Sequence, residues 1–436
     1  MSRRLAGIVL AGVALRALYL LTVGRDVTGI GDWWFYHWTA NDLADGKFFV
    51  EPFRLRFEDK TLPSAGHPPL YPLLLAPISL LGGDGVLWHR AAGLVFGGVT
   101  IALMGVLGRR VGGERLGFAA AAVCAFYPLM IVVDGALMSE TAYTPLVVLV
   151  LLVAWSLLER PRLAASAGLG ALIGLAALTR SEALLLLPLL AWPVAWRGGA
   201  GWLRRALVAA LACGAVLAPW TIRNAIEFGH LIPISINDST VLRGANCPAT
   251  YAGEDIGFWR ADCIPPRRFD NEGEQAAAWR SQGLEYLREH AGRLVVVVPV
   301  RVLRTVSLYQ PRRQVLFAEG RWIRGEQAAI ASFWALALFA IVGAVALRRA
   351  GTPLLVFLAP GLVVLVSVVI GYGHPRLRHA FEPSLMLLGA AGMLTVAKAL
   401  WPAARRARPA PDPRPAPPGP AAPTARRSAA RGRPGA

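Results

Sequence analysis

Charge is scarce in this chain of 436 residues: 17% are charged, 55% are hydrophobic and the mean hydropathy is +0.48. That balance excludes an ordinary soluble domain and fits a polytopic membrane protein. A nucleotide-phosphate loop, a GxSxG elbow and an HExxH helix are all missing, which removes three common catalytic readings. No tandem repeat is visible. Cysteine is limited to four residues. Cys124 and Cys213 sit in apolar runs, where a thiol is a small buried hydrophobe. Cys247 and Cys263 share the polar stretch "NCPATYAGEDIGFWRADC". A disulfide is their expected use if that stretch lies outside the cytosol. A zinc site is less well supported, because no histidine pair completes a ligand set.

What is abundant is arginine and apolar length. The formal net charge is +18, but no nucleic-acid module accompanies it, so nucleic acid is not expected as a partner. In a membrane protein the arginines set topology and touch anionic lipid. Apolar runs near 5–23, 86–108, 116–133, 139–158, 163–178, 183–196, 206–222, 327–347, 353–371 and 381–400 have roughly the length of crossing helices, so about ten transmembrane helices are expected. Leu5–Val23 lacks a small-residue cleavage site and reads as a retained first span. The run "LVVVVPVRVL" at 294–303, broken by Pro299 and Arg301, reads as interfacial or re-entrant.

Basic connectors fix the expected orientation. "GRRVGGERLG", "ERPR", "RGGAGWLRR", the Arg348–Arg349 pair, the N-terminal "SRR" and the arginine-rich tail all fall on one side. The positive-inside rule makes that side cytoplasmic, so both termini are expected in the cytoplasm of a plasma-membrane protein. The external side then receives a first loop at 24–85, short links near 134–138 and 179–182, a long loop at 223–326 and the link 372–380. In the long loop, Leu284, Leu287, Ala291 and Leu294 recur at helical spacing, which predicts a helix over Glu274–Leu294 lying on the membrane. From about 402 the chain holds ten prolines and eight arginines and is expected to be a disordered tail, 401–436, beside the transmembrane domain 1–400.

Several external segments are distinctive: "GDWWFYHWTANDLADG", "GHPPLYPLLLAPISLLGG", "LMSETAYTPL", "LTRSEALLLLPLL", "PWTIRNAIEFGHLIPIS" and "GHPRLRHAFEPSLMLLGAAG", in that order. Together they resemble the GT-C superfamily of polyprenyl-phosphate-sugar glycosyltransferases. Within it, the chain is most similar to the bacterial family 39-like branch, related to protein O-mannosyltransferases and lipid A aminoarabinose transferases. The resemblance covers about residues 1–400 and implies an all-α GT-C fold with external loop helices. It implies inverting transfer of a sugar, mannose by family precedent, from a polyprenyl monophosphate to an external hydroxyl. The acceptor would be a protein, glycolipid or polysaccharide, and no cofactor is called for. Some relatives in the wider superfamily hold a metal with an Asp-x-Asp pair. No external segment here contains one, so a metal-independent reaction is expected.

On this resemblance Asp32 matches the general base, a role that needs a carboxylate placed to take the acceptor's proton. The alternative is an N-cap for a helix starting at Trp33. Glu140, just inside a span, is the second catalytic candidate, since a carboxylate there is expensive unless paired. The leaving phosphate calls for arginine, and the candidates are Arg376, Arg378, Arg223 and Arg16, although Arg16 has the alternative of snorkelling to the interface. His67, Tyr71, Asp134, Arg180 and His374 are candidate substrate-binding residues. A lipid-linked-sugar flippase or other transporter is the competing class. Transporters place their charges near the midplane, whereas here they gather at one rim.

Overall fold

The computed structural model describes residues 2–26, 31–316, 319–406 and 435, with side chains omitted for Leu316 and for 401–406. The architecture is all-α: among the described residues there is no strand, only one isolated bridge between Val50 and Pro63. Six helices among the described residues are long and apolar enough to cross a membrane: Arg3–Thr22, Val86–Phe126, Glu140–Glu159, Trp202–Phe228, Ile323–Arg349 and Glu382–Leu400. Three shorter apolar helices accompany them, Leu70–Leu80, Leu163–Ala177 and Leu355–Ile370.

The ten apolar runs fall in helical segments, but six described helices have crossing length: the runs at 163–178 and 353–371 form shorter helices, and two others wind irregularly. Val86–Phe126 holds the runs at 86–108 and the start of 116–133, and bends at Gly112 and Gly113, the latter with φ +81°. Its two halves fold back on each other so closely that a Cβ at Gly108 would lie 2.7 Å from the Leu116 carbonyl oxygen. The run at 183–196 is broken into a 3-10 turn, Ser181–Leu185, a π turn, Leu187–Ala191, and a short α-helix, Trp192–Arg197. Pro188 and Pro193 supply no N–H to an α-helical ladder, which accounts for the irregular winding.

The core of the body gathers side chains from most of these helices, among them Met104, Cys124, Tyr143, Val147, Ile173, Leu190, Phe357 and Met386. Beside it the long loop forms a packed lobe. Cys247 and Cys263 are joined in a disulfide. The expected interfacial run becomes the helix Leu294–Thr305, packed on Leu355–Ile370. Its buried Arg301 donates to the carbonyls of Ala245 (3.0 Å) and Val369 (2.9 Å), and Arg304 donates to those of Ile256 and Glu254, both at 2.6 Å. The helix expected to reach Leu294 instead runs Glu272–Glu289, and Gln275, Ala276, Trp279 and Gly283 form its buried face. That face packs on the helix Asn237–Ala245, so the stretch is held by protein.

The chain divides into a compact unit, Met1–Thr395, and a C-terminal unit, Val396–Ala436. Of the second, the end of the helix Glu382–Arg406 is described. Apart from 401–406 and Gly435, the expected disordered tail lies outside the described residues.

Candidate active site

Five segments between helices bring charged residues together at one site. Asp32 occupies the N-cap position of the helix Trp33–Ala44, yet its side chain caps nothing. One carboxylate oxygen receives Arg376 Nη2 at 2.7 Å, and the other faces His67 Nε2 at 3.7 Å. His67 is held by ring contacts with Phe35 and Tyr36, at 4.6 and 5.3 Å between centroids. The Leu70 N–H, just past the two prolines of "GHPPLY", donates to the Leu178 carbonyl at 2.8 Å and fixes that turn.

Glu140 begins the helix Glu140–Glu159 and is 1% exposed. Its Oε1 accepts from Arg180 Nη1 at 2.6 Å and from Arg376 Nε. Arg180 also donates to Glu182 at 2.6 Å. Arg376 lies in the 3-10 turn Pro375–Ala380, whose start is capped by His374: the Arg376 backbone N–H donates to His374 Nδ1 at 3.1 Å. A third carboxylate, Glu319, accepts from Arg376 Nη1 at 2.6 Å and lies 3.9 Å from Arg321. Arg321 is itself paired with Glu326 at 2.7 Å.

Burial alone would raise the Asp32 carboxyl, but the Arg376 guanidinium outweighs it and holds the group below the usual carboxylate range. Glu319 goes the other way: burial raises it despite Arg376. Burial lowers His67 against the pull of Asp32, and it pushes His374 well below and His379 to about 3. Arg376 would be lowered by burial, but Glu140, Glu319 and Asp32 hold it well above its ordinary value.

Part of this cluster opens on a cavity of about 510 Å³. Asp32, Tyr36, His67, Arg180, Glu182, Tyr372 and Arg376 line its charged side. Leu185, Val241, Leu242, Leu284, Ile370 and Leu377 supply apolar lining, and Asn237, Asp238 and Arg280 are further polar lining residues from the lobe. The cavity can therefore take a molecule with an anionic group, a polar portion and an apolar portion.

Of the residues singled out from sequence, Asp32, His67, Arg180 and Arg376 line this cavity and Glu140 ties two of them together. Tyr71 is buried behind, edge-on to Tyr36 at 5.0 Å. His374 caps the Arg376 turn and stands outside the cavity lining. Arg378 is directed elsewhere, to Glu382 (3.2 Å), the Thr305 carbonyl (3.1 Å) and the face of Phe333. Arg223 donates to the carbonyls of Ser64 and Phe49, at 2.9 and 3.1 Å, and so pins the first loop. Arg16 and Asp134 pair with each other at 2.6 Å, and Arg16 also donates to the carbonyls of Gly12, Ala125 and Cys124.

Sequence reasoning missed Glu319, Arg321 and Tyr372. The one signal for Glu319 was the turn-forming "EG" pair: Glu319 and Gly320 both have positive φ, +47° and +80°.

Residues 66–222 match the model of a family described as dolichyl-phosphate-mannose-protein mannosyltransferase. The match takes in His67, Glu140 and Arg180. Among solved structures, the chain overlays the Archaeoglobus fulgidus oligosaccharyltransferase, in complex with zinc and sulfate, with a TM-score of 0.55 and 16% identity. The overlay covers 92% of this chain and 50% of that one. The same organism's oligosaccharyltransferase AglB, in complex with an inhibitory peptide and a dolichol-phosphate, gives 0.54 and 16%, covering 94% and 52%. The chain has the GT-C fold. It spans about half the length of these archaeal proteins. ArnT from Cupriavidus metallidurans, bound to undecaprenyl phosphate, overlays more loosely, with a TM-score of 0.44 and 16% identity over 92% of this chain and 81% of that one. No curated protein sequence matches the chain.

Asp32, Glu140 and Glu319 each turn onto the Arg376 guanidinium. Among the described residues, no three His, Cys, Asp or Glu side chains are gathered as a metal site needs.

Proposed function

We propose that the chain is a glycosyltransferase that moves one sugar from a polyprenyl monophosphate sugar to an acceptor hydroxyl, with Asp32 as general base. The observation that carries this reading is the cavity itself, in which the Asp32 carboxylate and the guanidiniums of Arg180 and Arg376 line a space with apolar walls. The guanidiniums of Arg376 and Arg180 suit a phosphate, because their planar N–H groups match its oxygens. The wall formed by Leu185, Val241, Leu242, Leu284, Ile370 and Leu377 suits the polyprenyl chain.

In the reaction the acceptor O–H gives its proton to Asp32 as its oxygen bonds to the anomeric carbon. The bond from that carbon to the phosphate oxygen breaks on the opposite face, and the electron pair leaves with the polyprenyl phosphate. The configuration inverts. Arg376 and Arg180 stabilise the charge that grows on the departing phosphate. His67, whose neutral form burial favours, faces Asp32 at 3.7 Å and is the group that would orient it.

Mannose is the proposed sugar, on the description of the matching family. The acceptor is a protein, glycolipid or polysaccharide. The site is proposed to face outward from the plasma membrane with both termini cytoplasmic, as the basic connectors require. Membranes containing the full chain should transfer label from polyprenyl-phosphate mannose to endogenous acceptor. Absence of transfer from any of a panel of polyprenyl-phosphate sugars would reject the reading.

A further inference from the structure

Arg376 has three nitrogens, and each of them faces a carboxylate: Nε faces Glu140, Nη2 faces Asp32 and Nη1 faces Glu319. Three carboxylates around one guanidinium leave one N–H on each Nη and already outweigh its charge, so an added phosphate is repelled unless one acid withdraws. The three acids are not equally free to do so. Glu140 opens a membrane helix and shares its oxygen with Arg180. Asp32 opens the helix Trp33–Ala44 and faces His67. Glu319 belongs to no helix. It sits in a turn at φ +47°, a conformation that a side chain with a Cβ rarely adopts, and Gly320 follows at +80°. A residue held in that conformation is maintained by its surroundings, here by the bond to Arg376 and by close packing: a Cβ at Gly31 would lie 3.2 Å from the Glu319 backbone.

We infer that Glu319 is an internal anion that occupies the phosphate position on Arg376 and is exchanged for the donor's phosphate when donor binds. This rests on the glycosyltransferase reading and adds to it the residue that sets donor affinity. Exchange keeps the local charge balanced: one anion leaves Arg376 as another arrives, so the buried guanidinium is never left bare. Arg321, 3.9 Å from Glu319 and already paired with Glu326, is the cation to which the displaced carboxylate can turn. Glu319 is thus a positioning residue that competes with substrate and takes no part in bond making.

The test is binding of undecaprenyl phosphate to the purified full chain in detergent, for wild type and Glu319→Gln, with hydrogen exchange of the wild type followed in parallel. Exchange removes any dependence on how well the variant folds. The inference expects Glu319→Gln to bind at least fivefold more tightly. It also expects the wild-type amides of Glu319–Trp322 to exchange faster when undecaprenyl phosphate is bound. Equal or weaker binding by the variant, or exchange that is unchanged or slowed, overturns the inference while leaving the donor reading intact. If wild type binds no undecaprenyl phosphate at all, the inference and the donor reading fall together.

Discussion

Arg376 Nε donates to the carboxylate of Glu140, a residue 236 positions earlier in the chain. Through this bond the link before the last helix is tied to the start of the helix Glu140–Glu159, and Arg180 joins the same oxygen from a third link. The charged side of the cavity is therefore one connected network.

Removing its hub should be costly. Glu140→Gln leaves the buried guanidiniums of Arg180 and Arg376 short of a charge, and loss of one partner of a buried pair costs about 3–5 kcal/mol. Thermal unfolding of the detergent-solubilised variant should show a clear fall in midpoint together with loss of transfer. A midpoint equal to wild type would mean that the network does not hold the links together.

Arg376 and Arg378 are separable by experiment. Arg376→Lys keeps the charge but loses the planar fork that meets three acids, and transfer should fall at least ~100-fold, about 2.7 kcal/mol. Arg378→Lys should lower stability through its contacts with Glu382 and Phe333 while transfer falls less than ~10-fold. Steady-state rates on matched amounts of folded protein check the pair.

The pattern of what the sequence revealed follows from how local each signal is. Crossing helices are legible because a bilayer demands about 20 apolar residues in a row, and the Gly112–Gly113 bend coincides with the connector "GRRVGGERLG". Asp32, Glu140, Arg180 and Arg376 all stand in links at one rim, so their meeting followed from topology and family resemblance. The separate fates of Arg376 and Arg378 were not legible. They lie two positions apart in one 3-10 turn, and only tertiary packing sends one to Glu140 and the other to Glu382. Arg16 looked like a phosphate ligand because its partner, Asp134, is 118 residues away. Glu319 gave almost no signal, since it lies in an aperiodic part of the long loop.

Acid should destabilise the folded chain well before the carboxylates titrate. His67, His374 and His379 are held below their ordinary value by burial, so from about pH 6.5 downward the unfolded state binds protons that the folded state refuses. Stability then falls with pH by up to about 1.4 kcal/mol per pH unit for each histidine. Asp32 acts in a lower window: its depressed carboxyl favours folding above the usual carboxylate range, and that contribution is lost as pH falls through the folded value. Unfolding midpoints between pH 8 and pH 4 check the first effect, and His379→Gln should flatten the slope.

The disulfide should stabilise the lobe. Cys247 and Cys263 close a loop with a sequence separation of 16, and a loop of that size contributes about 3 kcal/mol in the chain-entropy account. Reductant should lower the unfolding midpoint of wild type and have no further effect on Cys247→Ser. Alkylation of both cysteines in the folded, unreduced protein would contradict the pairing.

Whether Asp32 takes the acceptor's proton is decided by labelled sugar transfer from polyprenyl-phosphate mannose in membranes carrying wild type or Asp32→Asn. The substitution keeps the shape of the side chain and removes the base. Transfer should drop by about 100-fold or more, the lower end of what a positioned base contributes, while binding of undecaprenyl phosphate persists. Undiminished transfer by Asp32→Asn would contradict the account.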